Sequence, residues 1–287
     1  MKNLGTPIPL LGGGTGAATA TGALTSLGLN ASGIFAGRNR LLNGNFTVNQ
    51  RGQPSASTSY SAGVYILDRW KAGANGVTLS YAAASNGVDI VVTITAGTLV
   101  QVIEGSRYLI EGGAFTLSWT GTATARIYQG SASGSYAASP VRAASLTAAT
   151  NTTVEFGTGT LSLVQFEPGA AVTVFERRDL EFDRCCRYFV ATSIRGAVGG
   201  NNNGSYIATY ISGGVLLPAP MASSPSLSFY DYAGNAGSVT GGNGNGNTLS
   251  AGGLAQKYNQ YVYMDGLTNS NGLTYWWGAL IQAAAEL

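Results

Sequence analysis

The 287-residue chain contains no histidine. That absence removes Ser-His-Asp and Cys-His nucleophile systems, and every zinc site built on imidazole. Charge is also scarce. Asp, Glu, Lys and Arg together make 10% of the residues, against about 25% in an average soluble domain. With a net charge of +2, there is no broad cationic footprint for nucleic acid. Only two cysteines occur, adjacent at Cys185 and Cys186, which is too few for a disulfide framework or a thiolate metal site. Read as neighbours on a strand, they point to opposite faces, so a bond between them is strained. No apolar run is long enough to span a membrane as a helix, so no membrane insertion is expected. Ile8-Pro9-Leu10-Leu11 is too short and too broken by proline and glycine to serve as a secretory signal core. No Walker loop is present, and Gly12, Gly14 and Gly16 follow no strand, so no nucleotide and no other cofactor is implied.

What is abundant is glycine, at 42 residues, within a chain that is 45% hydrophobic. The polar surface must therefore come from Ser, Thr, Asn and Gly. These residues suit strands and turns and disfavour long helices. The expected fold class is all-β: two β-sandwich or jelly-roll-like domains preceded by a low-complexity attachment segment.

Residues 1–38 form that segment, running from Gly12-Gly13-Gly14-Thr15-Gly16 into Leu24-Thr25-Ser26-Leu27-Gly28-Leu29. It cannot pack a core alone. Residues 39–175 read as a β-sandwich. Val88, Ile90, Val92 and Ile94 alternate with Asp89, Val91, Thr93 and Thr95, while Phe115, Leu117 and Trp119 alternate with Thr116, Ser118 and Thr120. A period of two marks strands with one buried face. Residues 176–187 form a charged connector holding Arg177, Arg178, Asp179, Glu181, Asp183, Arg184, Cys185 and Cys186. These are expected to fix the angle between domains or to lock sister chains. Residues 188–287 read as a second β-domain, with alternation at Tyr206 to Ile211, at Leu227 to Tyr230 and at Thr274 to Ile281.

Four acids, Glu104, Glu111, Glu155 and Glu167, keep glycoside hydrolysis open, since that chemistry needs only two carboxylates. Their bland reading is ion pairing, with Arg126 or Arg107 as partners. The stronger resource is aromatic. Tyr258, Tyr261, Tyr263 and Trp276, with Asn243 and Asn245 in a Gly-Asn loop, offer rings for sugar C–H groups and amides for hydroxyls. The alternative is that these rings form core and subunit contacts, where Tyr and Trp are equally at home. Trp276 and Trp277 point to opposite faces of a strand.

Several stretches in order resemble a family of bacteriophage tail-fibre and tail-tip proteins. They are the glycine-rich segment; Asn39 to Gly52, with its Asn43-Gly44-Asn45-Phe46 start and Gln50-Arg51-Gly52 close; Asp68-Arg69-Trp70; Gln101 to Gly105; Phe115 to Trp119; Val164 to Gly169; Phe175-Glu176-Arg177-Arg178; Cys185-Cys186-Arg187-Tyr188-Phe189; and Ala284-Ala285-Glu286-Leu287. The family usually carries Gln where Cys186 stands and Tyr where Phe189 stands. The first domain also resembles jelly-roll carbohydrate-binding modules. The resemblance implies a homotrimeric virion protein of the tail, extracellular during host attachment, anchored to other tail or baseplate proteins through its N-terminal segment. The expectation built on it is binding to a host surface glycan or other receptor, without catalysis. The competing expectations are a collar, baseplate or decoration fibre, and a polysaccharide depolymerase.

Overall fold

The computed structural model describes residues 14–18, 23, 37–106, 110–198, 213–218, 220–242, 248–250, 253–257, 261–265 and 275–286. Beyond residue 193, side chains are described for 216–218, 220–237 and 278–286. The described chain is all-β apart from the six-residue helix Glu181–Cys186 and a helical position at Ala23, and each strand pairing in it is antiparallel.

Nine strands make the first unit: β1 (Thr58–Tyr60), β2 (Tyr65–Leu67), β3 (Trp70–Ala83), β4 (Ile90–Ile103), β5 (Gly113–Thr120), β6 (Ala125–Gln129), β7 (Val141–Leu146), β8 (Thr152–Phe156) and β9 (Gly159–Pro168). The path runs β1-β3-β4-β9-β5-β7, with β8 on β4 and β6 on β8. β9 is the hinge of this arrangement. Its start pairs with β4 at Gly159–Leu161, and its remainder pairs with β5 from Ser162 to Pro168. Leu163, at the changeover, has φ of 53°. That left-handed conformation costs a branched side chain energy, and here it turns the strand from one sheet into the next.

The space between the sheets is filled by large apolar side chains. Trp70 is fully buried and meets Phe46 at 4.9 Å and Phe156 at 5.9 Å between ring centroids. Trp119 meets Phe156 edge-on at 5.1 Å, and Phe115 stacks on Phe166 at 4.9 Å. Offset and edge contacts of this kind add to the burial of apolar area. The Trp70 indole N–H donates to the Asn43 carbonyl at 2.9 Å, so the ring is buried without an orphaned donor.

The period-two pattern of β5 is seen in Phe115, Leu117 and Trp119, all buried. Its polar partners Thr116 and Ser118 are buried as well. The outer face of β5 is therefore covered, and Thr116 donates its hydroxyl to the Gly169 carbonyl at 2.7 Å. Val88, expected to be inward, is largely exposed and lies before β4 begins.

The chain then passes through a connector and the helix α1 (Glu181–Cys186). The second group of strands is β10 (Phe189–Val198), β11 (Gly213–Leu216), β12 (Ser226–Tyr230), β13 (Ser238–Gly242), β14 (Thr248–Ser250), β15 (Gly253–Lys257), β16 (Tyr261–Asp265) and β17 (Tyr275–Ala284). β17 is central to a five-stranded sheet. It pairs along its whole length with β10, and on its other edge with β13 and then β12. β11, β16 and β15 form a separate three-stranded sheet. Along β17, Ala279, Ile281 and Ala283 are buried while Leu280 is exposed, the alternation of a strand with one packed face. The alternation expected at Tyr206 to Ile211 lies outside the described residues.

Candidate functional site

The stretches that carry the family resemblance lie far apart in sequence, and the fold brings most of them to one place. That place is the junction where the first unit meets β10 and β17. Arg69 and Arg51 occupy its centre. Arg69 donates to the Glu286 carboxylate at 2.5 Å and to the Val102 carbonyl at 2.6 Å. Its guanidinium lies 3.7 Å from the Tyr188 ring centroid. Arg51 donates to Glu286 at 3.0 Å and approaches Asp68 at 3.5 Å, with its guanidinium 3.7 Å from the Phe189 ring centroid. Cations over aromatic faces are attracted to the ring quadrupole, more strongly where water is excluded.

Gln50 completes the seam. Its side-chain amide donates to Asp68 at 2.5 Å and to the Phe189 carbonyl at 2.8 Å, and it accepts from the Ala191 N–H at 3.3 Å. Tyr188 donates its hydroxyl to Glu104 at 2.9 Å. Burial, with the Glu104 carboxylate beside it, pushes the Tyr188 phenol up to about 12. Burial is also the largest influence on Asp68 and raises its carboxyl, against the opposing pull of Gln50 and Arg51. Two backbone bonds tie the ends together: Ala285 N–H to the Tyr188 carbonyl at 2.7 Å, and Ala222 N–H to the Arg187 carbonyl at 2.7 Å.

Asp68 and Arg69 stand side by side before Trp70, yet they do not pair with each other. The two side chains diverge, because Arg69 has φ of 72° in the turn between β2 and β3. Asp68 turns to Gln50 and Arg51, and Arg69 turns to Glu286.

The connector wraps the start of the first unit. The Glu176 carboxylate accepts from the backbone N–H groups of Gly37 and Asn39. Arg178 donates to the carbonyls of Asn39 and Leu41 and pairs with Glu181, which accepts from the Asn43 N–H. Arg177 grips Asp89 through two bonds of 2.7 and 2.6 Å. That guanidinium fork holds the Asp89 carboxyl below its ordinary value. Asp179, Asp183 and Arg184 are exposed. Cys185 and Cys186 are buried free thiols at the end of α1 rather than on a strand, and both lie inside this chain. Burial pushes the Cys185 thiol well up and Cys186 up to about 11.

Gly44 explains one element of the Asn-Gly-Asn start. Its carbonyl accepts from the Val164 N–H at 2.8 Å, so the two backbones run in contact. A Cβ at this position would sit inside the van der Waals shell of the Val164 carbonyl oxygen.

The four acids are each engaged. Glu155 takes two bonds from Arg126, at 2.9 and 2.7 Å. Burial raises its carboxyl, but Arg126, Thr98 and Tyr136 together hold it below the usual value. Glu167 accepts from the Thr173 N–H and hydroxyl and from Gln165. Glu111 pairs with Arg40 at 2.7 Å, and Glu104 accepts from Tyr188 and from the Ser106 hydroxyl.

Of the aromatic candidates, Tyr261 and Tyr263 stand on β16, opposite Leu216 and Gly214 in register. Trp276 stands on β17, opposite Ala197 and Gly242. The topology thus puts the two tyrosines on one sheet and the tryptophan on another. Tyr258, Asn243 and Asn245 lie outside the described residues. The residues missed by sequence reading are Glu104, Tyr188 and Glu286 as a connected group. Each was read within its own motif, and their spacing in the chain gives no sign that they meet.

Compared with known proteins, the chain matches no family model and no curated protein sequence.

Proposed function

We propose that this chain is a non-enzymatic bacteriophage tail-fibre or tail-tip protein that binds a host surface glycan through its C-terminal β-unit. The observation that carries the reading is the junction. Gln50-Arg51, Asp68-Arg69-Trp70, Glu104, Tyr188-Phe189 and Glu286 are the residues of the family resemblance, and they lock to one another instead of facing substrate. Such a lock holds the C-terminal sheets at a fixed angle on the first unit, as a display scaffold requires. The four engaged acids support the absence of hydrolysis, because a general acid and its partner need free access to one glycosidic bond.

Recognition falls to Tyr258, Tyr261, Tyr263 and Trp276, with the loop at Asn243 and Asn245. The assembly is a trimer attached through residues 1–38. The segment from the end of β9 through α1 exposes Val172, Val174, Leu180 and Phe182, an apolar set suited to contact with sister chains. Three shallow sites on a rigid body bind by avidity, so each site can be weak.

The test is retention of the full-length protein on immobilised bacterial surface polysaccharides, with new reducing ends assayed in the same samples. Retention without reducing ends is the expected result. Reducing-end release would make it a depolymerase. Loss of retention on every polysaccharide and on whole cells would leave the collar or decoration role.

A further inference from the structure

Beside the junction lies a cavity of about 200 Å³ lined by Asn39, Gln101 and Tyr188, by the single carboxylate Glu104, and by five arginines: Arg40, Arg69, Arg178, Arg184 and Arg187. Three of the five have visible commitments. Arg40 pairs with Glu111, Arg69 with Glu286, and Arg178 with Glu181. Arg184 and Arg187 have no carboxylate partner among the described residues. The cavity therefore carries more positive charge than its own acids neutralise.

A second observation points the same way. The Nε–H groups of Arg40 and Arg69 are buried and have no hydrogen-bond partner. Arg69 is only 3% exposed. A buried guanidinium donor left unpaired is costly, and native structures rarely tolerate it without a bound group. Asn39 and Gln101 add little demand of their own, since their amides are taken up by Val164 and Leu42. The crowding is also visible electrostatically: burial lowers the Arg178 guanidinium, and the charge of Arg184 adds to that effect.

We propose that this cavity binds an oxyanion, a carboxylate or phosphate group, whose charge Arg184 and Arg187 meet from the connector, with Arg40 and Arg69 among the residues that line it. Guanidinium groups suit such ligands because their planar donors match two oxygens at once. The ligand is held by charge and not by aromatic stacking, so its chemistry differs from the sugar stacking proposed for the C-terminal tyrosines and tryptophan. It does not rest on the receptor reading. The oxyanion has two possible sources, a free inorganic ion or an acidic substituent on a saccharide.

The experiment is thermal unfolding of the full-length protein at constant ionic strength, with inorganic phosphate, glucuronate, glucose 6-phosphate or neutral glucose. At about ten times its dissociation constant, a bound oxyanion raises Tm by about 3 °C. Glucose should leave Tm unchanged. Arg184→Gln/Arg187→Gln should abolish the shift while keeping the Tm of the unliganded protein, because neither side chain makes an ion pair among the described residues. Arg142→Gln, at an exposed arginine that does not line the cavity, should keep the shift in full. A shift from phosphate identifies a free ion as sufficient, and a shift from the two sugar acids alone identifies a saccharide substituent. No shift from any of the three anions overturns the proposal, as does a shift that survives the double substitution.

Discussion

Replacing Glu286 with Gln removes one charge that faces two buried arginines. The carboxylate is 7% exposed, Arg69 is 3% and Arg51 is 10%, so little water is available to take over the role. Breaking a buried pair from one side costs about 3–5 kcal/mol, because the orphaned cation remains in place. Two features hold the loss to the low end. Arg69 keeps the Val102 carbonyl and the Tyr188 ring, and Arg51 keeps Asp68 and the Phe189 ring. The expected loss is about 3 kcal/mol. At about 2–3 °C per kcal/mol for a chain of this size, Tm falls by about 6–9 °C. Glu111→Gln is the control, since Glu111 is 42% exposed in its pair with Arg40. It should cost less than about 1 kcal/mol. Differential scanning calorimetry of the two variants and the parent, at one protein concentration, reads the difference. A Glu286→Gln protein no less stable than Glu111→Gln would refute the claim that the two β-units are locked through this carboxylate. A double-mutant cycle between Arg69→Met and Glu286→Gln should show a coupling of at least about 1 kcal/mol.

Three further outcomes are expected. Gly44→Ala pushes its methyl group against the Val164 carbonyl and separates two hydrogen-bonded backbones; chemical denaturation should show a loss of about 2 kcal/mol or more, and a neutral result would contradict the close approach. Asp89 has a folded value held below 3.8 by Arg177, so its contribution is present above pH 3.8 and is lost as pH falls through the folded value. The stability gap between the parent and Arg177→Gln should therefore be constant near pH 6 and narrow as pH falls below 3.8; a gap that widens on acidification reverses the sign. The thiols of Cys185 and Cys186 are buried and raised, so a thiol reagent at pH 8 should label neither in the folded protein and both after unfolding. Fast labelling in the native state would show an open junction.

The β-class was legible because it rests on local pattern. Ile90 to Ile94, Phe115 to Trp119 and Ala279 to Ala283 alternate as strands do, and the pattern needs no knowledge of partners. The burial of Thr116 was not legible, since it depends on the Gly169 carbonyl, 53 residues away, lying over β5. The helix at Glu181–Cys186 escaped for a different reason. Six residues without a side-chain cap give too short a period to recognise, and its cysteines were read as strand neighbours. The junction was visible only in fragments. Arg51, Arg69 and Glu286 meet because β17 returns along β10, and a contact 217 residues apart leaves no mark in the spacing of either motif. Positive φ at Arg69 then turns its side chain away from the adjacent Asp68.

The central claim is that the C-terminal unit recognises a bacterial surface glycan. Its most direct measurement is the binding of labelled full-length protein to host cells, compared with the Tyr261→Ala/Tyr263→Ala and Trp276→Ala variants and with cells lacking the surface polysaccharide. Saturable binding by the parent is expected, with a loss of at least tenfold in the variants at unchanged Tm and no binding to cells without the polysaccharide. Equal binding by the parent and all variants, or binding that persists on cells without the polysaccharide, would contradict it.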